Sequence, residues 1–329
     1  MPTNLPPDYY EVEREYRAAT SNADKIALLE EMYSLIPKHK GTDHLRADLR
    51  RRLSKLKEQS TSGKGGARQD AAFHIDKEGA GQVVVVGTPN VGKSSLVAAL
   101  TNARPEVAPY PYTTWVPTPG MMTVGGVQVQ LVDTPPLNRE HVEPLLMDLI
   151  RRSDLILLML DLQGHPLQEL EDAVAIMEEH RIFASHRPIT YEGQRRVVSK
   201  PVLVLANKND DEATDDDSAV LEELLQEEGW PVCAISATTG RGLERMAQEI
   251  FSRLGIMRIY CKPPGEEPDL GAPFVLPEGG TVADLAAKIH KDFVEQLKAA
   301  RVWGAGVFDG QMVSRDHVLH DGDIVELRA

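Results

Sequence analysis

The fold of this chain is decided by the stretch Gly87-Thr88-Pro89-Asn90-Val91-Gly92-Lys93-Ser94, which lies between an apolar run, Val83 to Val86, and a helical pattern that starts near Lys93. The glycines allow the backbone to curl so that successive N–H groups face one point, and the N-terminus of the next helix adds its positive dipole end. An ordinary turn before a helix would not require the whole pattern. This strand, loop and helix are therefore typical of a phosphate-binding loop.

The side chains of this loop predict how a polyphosphate would be held. Lys93 would place a point charge against the β and γ phosphates, and Ser94 would offer a hydroxyl to Mg²⁺. We expect the nucleotide to contact six consecutive residues of this segment, which are Asn90, Val91, Gly92, Lys93, Ser94 and Ser95.

Two later segments suit a Mg²⁺ site. Asp133 follows the apolar run Val127 to Val132, so that its carboxylate would emerge at a strand end, although an isolated Asp there would ordinarily be a turn former. The segment Tyr110-Pro111-Tyr112-Thr113-Thr114 is rich in Pro and Thr and predicts a loop, from which Thr114 would reach Mg²⁺ and the γ phosphate. The predicted metal ligands are Ser94, Thr114 and Asp133, and the predicted catalytic residues are Lys93, Thr114 and Asp133.

The motif Asn207-Lys208-Asn209-Asp210 follows the apolar run Val202 to Ala206, which places it at the carboxyl end of a sheet, where ligands of open α/β folds bind. Guanine presents two N–H donors on one edge, and the carboxylate of Asp210 would accept both, whereas adenine lacks that edge. Such a site can reject an analogue by roughly 10⁴-fold. The base-binding residues predicted for GTP or GDP are Asn207, Lys208 and Asp210, with Ser236, Ala237 and Thr238 offering backbone N–H groups after the run Val232 to Ile235.

From residue 82 onward, short apolar runs alternate with helical patterns. Several of the runs are continuous, which is expected of strands that are covered on both faces. The sequence therefore predicts an α/β domain with a doubly wound, mostly parallel sheet. We expect three regions: a helical N-terminal region and linker over residues 1–78, this α/β domain over 79–255, and a small α+β domain over 256–329.

The closing region carries short strand patterns around one helix. The predicted strands are Met257 to Cys261, Ala272 to Leu276, Val302 to Phe308 and Ile324 to Leu327, and the predicted helix is Val282 to Phe293.

Residues 9–58 are rich in Glu, Leu, Ala, Lys and Arg, with apolar residues at helical spacing. A predicted helix from Asp43 to Glu58 presents basic side chains beside its leucines, and these would form either a solvated face or a footprint for RNA phosphates. The basic residues are Arg46, Arg50, Arg51, Arg52, Lys55 and Lys57. The Ser-, Gly- and Lys-rich stretch from Ser60 to Arg68 then predicts a linker.

Composition excludes several classes of protein. A net charge of −14 argues against a surface coated by nucleic acid, and no segment predicts a reader of DNA sequence. The longest apolar run, Leu155 to Leu160, falls far short of the roughly 20 residues that span a bilayer. Since Cys233 and Cys261 are the only cysteines and no secretion signal opens the chain, we expect a reducing cytoplasm and no membrane partner.

These motifs resemble those of the Obg-related GTPases, and most closely those of the developmentally regulated GTP-binding protein family. The likeness extends over most of the chain. It is carried by Tyr110 to Thr114 and by Arg258-Ile259-Tyr260, Lys262-Pro263, Lys288 to Lys291, Val302-Trp303-Gly304 and Asp321 to Val325. The resemblance implies a P-loop GTPase domain, a C-terminal β-grasp module called a TGS domain, and association with ribosomes or RNA through the N-terminal region and that module. Asn90 stands where cation-activated relatives carry asparagine, which implies a K⁺ ion beside the phosphates.

The chain departs from the family pattern at two places. Pro136 follows Asp-Thr-Pro where the family has glycine, and proline has no N–H to donate to the γ phosphate. Leu137, a feature shared with the resembled family, stands where a glutamine orients water in Ras-like enzymes, so intrinsic hydrolysis should be slow. The stretch between Asp161 and Lys200 is also shorter than in the family, and Phe183 to Ser199 would be the remnant of an inserted domain.

Three functions remain open at this point. The first is a slow GTPase switch with a loop around Thr114 that is ordered by GTP and Mg²⁺. The second, motivated by Pro136, is a guanine-nucleotide-binding adaptor with negligible turnover. The third, a P-loop kinase, would require an Arg-rich lid over its acceptor, and no such segment stands out.

Overall fold

The structure is a computed structural model, and its described residues fall into two compact units. One unit holds the described residues up to Ile75 together with Glu143–Asp148 and those between 190 and 196, and the other holds the rest. The residues that the structure describes are 6–18, 22–36, 46, 49–53, 73–103, 116–138, 142–189, 191, 193, 196–290, 294–295 and 297–328.

The first unit is helical, as predicted. Helix α1 covers Pro7–Ala18 and helix α2 covers Asn22–Leu35, while residues 49–53 are also helical. Apolar side chains from these three stretches form one buried cluster, whose members are Tyr9, Val12, Leu29, Met32, Ile36 and Leu49. Of the basic residues in this region, Arg46 stacks over Tyr33 at 4.2 Å, and Lys55 and Lys57 lie outside the described residues.

The second unit is built on a six-stranded sheet with the order β2-β3-β1-β4-β7-β8. Strand β2 pairs antiparallel with β3, and the other neighbours in this sheet are parallel. The strands are β1 Gln82–Val86, β2 Thr118–Val124, β3 Val127–Asp133, β4 Leu155–Asp161, β7 Val202–Asn207 and β8 Val232–Ala234. The mostly parallel α/β sheet predicted from the sequence is confirmed.

Helices connect the parallel strands. They are α3 Lys93–Leu100, α4 Pro144–Arg152, α5 Pro166–Glu179, α6 Asp215–Glu227 and α7 Leu243–Arg253. Alternate residues of β1 show why the apolar runs are continuous: Val83 and Val85 belong to a core with residues of α3 and α7, while Val84 and Val86, on the opposite face, are also fully buried. No helix in the described ranges is long and apolar enough to cross a bilayer.

Strand β2 was not predicted, because Pro119 and Gly120 interrupt its pattern. It forms a hairpin with β3 through Gly125 and Gly126, both of which have positive φ angles. The shortened stretch after α5 contains a two-stranded parallel pair, β5 Ile182–Ala184 and β6 Val198–Lys200.

The described C-terminal part contains a five-stranded sheet, with the order β10-β9-β13-β11-β12, and a helix; residues 294–295 are also helical. The elements are β9 Ile256–Cys261, β10 Phe274–Pro277, α8 Val282–Ile289, β11 Ala299–Trp303, β12 Gln311–Val313 and β13 Ile324–Arg328. Thr281 caps α8 through a reciprocal pair of hydrogen bonds with Asp284, which explains the helix start that the sequence predicted.

Two boundaries in this domain were predicted wrongly. The strand expected from Val302 to Phe308 ends at Trp303, because Gly304 and Gly306 adopt positive φ angles and turn the chain. The helix expected to reach Phe293 ends at Ile289, and residues 291–293 lie outside the described part of the chain.

Arg258 on β9 joins the C-terminal sheet to the α/β domain. Its guanidinium donates a hydrogen bond of 2.8 Å to the carbonyl of Gly125, stacks 4.8 Å from the ring of Phe251 on α7, and pairs with Asp321 at 2.6 Å. A single side chain therefore connects the turn of the β2–β3 hairpin with the start of the C-terminal domain.

We predict that Arg258→Ala lowers the free energy of unfolding by about 1 to 3 kcal/mol, since it removes a charge-assisted hydrogen bond and a cation–π contact. Arg315→Ala is the matched control, because Arg315 is exposed and its ion pair with Asp316 is long, at 3.9 Å. Urea unfolding followed by circular dichroism measures both variants. If the free energies of unfolding of Arg258→Ala and the control agree within about 0.5 kcal/mol, this role of Arg258 is contradicted.

Candidate functional site

The predicted site residues converge on the carboxyl end of the parallel strands. The loops after β1, β3, β4, β7 and β8 meet there, as the topology of a doubly wound sheet requires. Thr114 is the exception, since it lies outside the described residues.

The loop between β1 and α3 depends on backbone conformations that suit glycine. Gly92 precedes α3 with φ 99°, and a Cβ there would lie 2.4 Å from the side-chain amide nitrogen of Asn207. A Cβ on Gly87 would lie 2.4 Å from the carbonyl oxygen of Met159 on β4. Asn90 adopts φ 65° and is exposed. The two glycines therefore let this loop approach β4 and β7 closely.

Lys93 at the start of α3 is buried, with 7% of its surface exposed. Its ammonium group donates to the carbonyl oxygens of Gly87 at 3.1 Å and Thr88 at 2.8 Å. Burial lowers the pKa of Lys93 to about 8, and the nearby carboxylates Asp133 and Glu169 oppose this shift. A polyphosphate beside this group would stabilise its charged form.

Ser94 and Asp133 come together from different elements. The hydroxyl of Ser94 donates to a carboxylate oxygen of Asp133 at 2.6 Å, and Asp133 is fully buried at the end of β3. A hydroxyl and a carboxylate at this spacing are hard oxygen donors of the kind that Mg²⁺ prefers. These residues therefore fit a Mg²⁺ ion. Ser95, the next residue of α3, is partly buried.

The segment after Asp133 folds back onto the phosphate loop. Thr134 donates through its hydroxyl to the carbonyl of Val85 at 2.6 Å, and the N–H of Leu137 donates to the carbonyl of Gly87 at 3.0 Å. Pro136 lies between these two contacts and contributes no donor. The carbonyl of Gly87 thus accepts from both Lys93 and Leu137.

Asn207 joins the phosphate loop to the loop after β8. Its side-chain nitrogen donates to the carbonyl of Val91 at 2.7 Å, and its side-chain oxygen accepts from the N–H of Ala237 at 2.9 Å. Asn207 is 3% exposed, so both hydrogen bonds are shielded from water. This residue fixes the distance between the two ends of the site.

Asp210 is held in place by Ser236. The Ser236 hydroxyl donates to one carboxylate oxygen of Asp210 at 2.5 Å and accepts from the N–H of Thr239 at 3.0 Å. The N–H groups that the sequence assigned to a guanine oxygen have protein partners here: that of Ser236 donates to Arg241, and that of Ala237 donates to Asn207. Thr238 is exposed beside them.

Sequence reasoning missed four supporting residues. Asp161, at the end of β4, forms an ion pair with Lys208, and its N–H donates to Glu169 of α5 at 2.8 Å. Burial raises the pKa of Glu169, and the hydrogen bonds from the Asp161 N–H and the Thr88 side chain oppose this shift. Arg241 donates two hydrogen bonds to Asp215, at 2.8 and 2.9 Å, and a third of 3.4 Å to the backbone carbonyl of Asn209. No motif marks these residues, because their partners are distant in sequence.

A phosphate loop with a buried lysine, a serine–aspartate pair and an aspartate at the base end define a guanine-nucleotide-binding P-loop protein. Two family models match the chain: "50S ribosome-binding GTPase" over residues 82–208 and "TGS domain" over residues 257–329. The first match covers the six-stranded sheet except for β8, and the second covers the five-stranded sheet.

Relatives extend the likeness over nearly the whole chain. An uncharacterized GTP-binding protein of Methanocaldococcus jannaschii is 31% identical over 361 residues, covering 92% of each chain. Developmentally-regulated GTP-binding protein 1 of Xenopus laevis is 29% identical and covers 92% of this chain and 98% of its own. A GTP binding protein from Pyrococcus horikoshii shares the fold, with a TM-score of 0.53, 17% identity and coverage of 75% of this chain and 99% of its own. This chain belongs to the developmentally regulated GTP-binding protein family.

We predict that Asp210→Asn lowers the affinity for GDP by at least about 100-fold, since each charge-assisted hydrogen bond is worth about 1.5 to 3 kcal/mol. Xanthosine diphosphate should bind this variant better than GDP, because its ring carries an acceptor where guanine carries the amino group, and the Asn amide can donate to it. Calorimetry with GDP, XDP and ADP measures this change.

The matched control for that experiment is Asp216→Asn, which neutralises an exposed carboxylate in the first turn of α6. This variant should keep the wild-type order of affinities. Unchanged base preference in Asp210→Asn would remove Asp210 from the base site.

Proposed function

We propose that this chain is a Mg²⁺-dependent GTPase that hydrolyses GTP slowly to GDP and phosphate and acts as a conformational switch. The observation that carries this proposal is the pairing of Ser94 with Asp133 at 2.6 Å beside the buried ammonium group of Lys93. A buried cation beside two hard oxygen donors suits the β and γ phosphates of a nucleotide and their Mg²⁺ ion.

Binding of GTP would exchange one set of contacts for another. Lys93 would leave the carbonyls of Gly87 and Thr88 for phosphate oxygens, and the N-terminus of α3 would add its backbone N–H groups. Asp210, already oriented by Ser236, would accept the two N–H donors of guanine. The aliphatic part of Lys208 would lie along the base while its ammonium group pairs with Asp161.

In the hydrolytic step, water attacks the γ phosphorus and the bond to the β–γ bridging oxygen breaks, which yields GDP and phosphate. Ser94 and Asp133, with Thr114 from outside the described residues, would hold Mg²⁺, which neutralises charge on the phosphates when it is bound. Lys93 would stabilise charge that develops on the leaving group. The side chain of Leu137 has no polar group to orient water, so we expect slow turnover.

The second candidate is a guanine-nucleotide-binding adaptor with negligible hydrolysis. Pro136 favours it, since a proline at this position cannot donate to the γ phosphate, and Leu137 directs its own N–H to Gly87. Under this alternative, the N-terminal region and the C-terminal domain would carry the biological function.

Single-turnover hydrolysis of γ-labelled GTP separates the two candidates. We expect wild-type turnover to exceed that of Lys93→Ala, to be faster in K⁺ than in Na⁺ if Asn90 supports a bound K⁺, and to rise in Pro136→Gly. Magnesium chelation should abolish it. Wild-type turnover equal to that of Lys93→Ala in both salts, together with tight GDP binding, would leave the adaptor as the better account.

We further propose a ribosomal or RNA partner in the cytoplasm, contacted through the N-terminal helices and the TGS domain. Exposed cations are available in both regions: Arg50 and Arg51 in the first, and Lys298 and Arg315 in the second. Cys233 and Cys261 are both free thiols, which suits a reducing compartment. Burial raises the pKa of both to about 11 and leaves them poorly reactive.

Ribosome co-sedimentation over a range of salt concentrations tests the partner. Each phosphate contact that is lost should reduce the slope of log affinity against log salt by about 0.7 to 0.9. We expect the slope to be reduced in the double variant Arg50→Glu/Arg51→Glu, in the double variant Lys298→Glu/Arg315→Glu, or in both. Pelleting that is identical to wild type in both double variants would exclude these surfaces.

A further inference from the structure

A groove of about 850 Å³ separates α5 from α6 on the surface of the α/β domain. Its walls carry Leu167 and Glu171 from α5 and Asp217, Val220 and Leu224 from α6. The three apolar side chains are unusually exposed, at 44% for Leu167, 58% for Val220 and 44% for Leu224. The predicted nucleotide contacts do not use any of them.

These exposed side chains are not needed to hold the two helices on the sheet. Helix α5 is anchored by a buried face that includes Leu170 and Ile176, and α6 by one that includes Leu221 and Leu225. Val220 and Leu224 are four residues apart, so they form a stripe along the side of α6. The groove is therefore an apolar surface beyond what folding requires.

The charged side chains of the groove are acidic. Glu171 and Asp217 lie in opposite walls, and Asp217 belongs to the acidic first turn of α6. Of the residues that line the groove, all of which the structure describes, none is Lys or Arg. This surface attracts a cationic partner and repels nucleic acid.

The shape of the groove narrows the class of partner further. Both walls are helices, so there is no strand edge to which an extended peptide could add. The lining contains no Phe, Tyr or Trp, which argues against recognition of a proline-rich helix. An amphipathic α-helix, with apolar residues at intervals of three and four, matches the two walls.

We propose that this groove, between α5 and α6, binds a basic amphipathic helix of a partner protein. Apolar side chains of that helix pack against Leu167, Val220 and Leu224, and its Lys or Arg residues face Glu171 and Asp217. The interaction goes beyond the nucleotide function and uses a separate surface.

The loop after β4, which lines part of the groove, is hydrogen-bonded to the base end of the candidate nucleotide site. Leu162, one of its lining residues, donates its N–H to the carbonyl of Asn207 at 3.0 Å, and Gln163 donates to the carbonyl of Lys208 at 3.1 Å. The loop that lines the groove is thus hydrogen-bonded to two residues of the guanine motif.

Two synthetic helical peptides provide the test, one with Leu on one face and Lys elsewhere, and one with Glu in place of each Lys. Their affinities for the full-length, GDP-bound protein are measured by fluorescence anisotropy. We expect the Lys peptide to bind at least about tenfold more tightly than the Glu peptide. Val220→Ser/Leu224→Ser should weaken the Lys peptide at least about tenfold, and Glu171→Gln/Asp217→Asn should reduce its salt dependence.

Matched controls exclude general attraction to an acidic protein. Leu270→Ser removes an apolar side chain that is 61% exposed in the C-terminal domain, and Glu266→Gln/Glu267→Gln removes two exposed carboxylates there. Both controls should bind the Lys peptide as wild type does. Equal weakening in the controls and the groove variants would overturn the proposal.

The remaining outcomes are equally decisive. If light scattering shows a wild-type dimer that Val220→Ser/Leu224→Ser dissociates, the groove binds a second copy of this chain. That result would overturn the proposal. The groove variants should keep wild-type GDP affinity, which reports an intact fold. Loss of peptide binding with GDP affinity unchanged supports the groove independently of hydrolysis.

Discussion

The site depends on one buried side chain, Asn207, whose amide holds the phosphate loop and the base loop at a fixed separation. Each half of the amide has a backbone partner, Val91 on one side and Ala237 on the other, and neither partner has access to water. Breaking either hydrogen bond would leave a buried polar group unsatisfied, at a cost of about 1 to 3 kcal/mol. The same amide lies where a Cβ on Gly92 would be, so the glycine is required by Asn207 as well as by the positive φ angle.

The buried ammonium group of Lys93 is the second constraint. Burial disfavours its charged form, and the negative charges of Asp133 and Glu169 offset only part of that cost, while its hydrogen bonds go to two neutral carbonyls. A phosphate chain supplies the negative charge that the carbonyls lack. Because Gly87 also accepts from Leu137, movement of Lys93 toward a phosphate would change the surroundings of the segment that holds Pro136. This shared carbonyl gives the segment after β3 a direct contact with the phosphate loop.

Much of the fold could be predicted from the sequence, because runs rich in apolar residues mark the strands β1, β3, β4, β7 and β8, and a short motif follows each of them except β4. The antiparallel strand β2 could not, since Pro119 and Gly120 hide its pattern, and β11 ended early at glycines whose φ angles no periodicity reveals. The residues that support the motifs could not be predicted from the sequence either. Glu169 and Arg241 act through partners that only the folded chain brings near. The hydrogen bonds that the N–H groups of Ser236 and Ala237 donate within the protein could likewise not be predicted from the sequence.

The β2–β3 hairpin links the candidate metal site to the C-terminal domain through strand β3 and one hydrogen bond at its turn. Asp133 is the last residue of β3, and the turn that precedes this strand, at Gly125 and Gly126, contacts Arg258. Strand β3 pairs with β1 from Gln130 to Asp133, so its far end is fixed to the sheet, whereas the turn extends beyond that pairing to the C-terminal domain. The side chain of Arg258, held by both Asp321 and Phe251, is therefore the point at which the hairpin whose second strand ends at Asp133 meets the TGS domain.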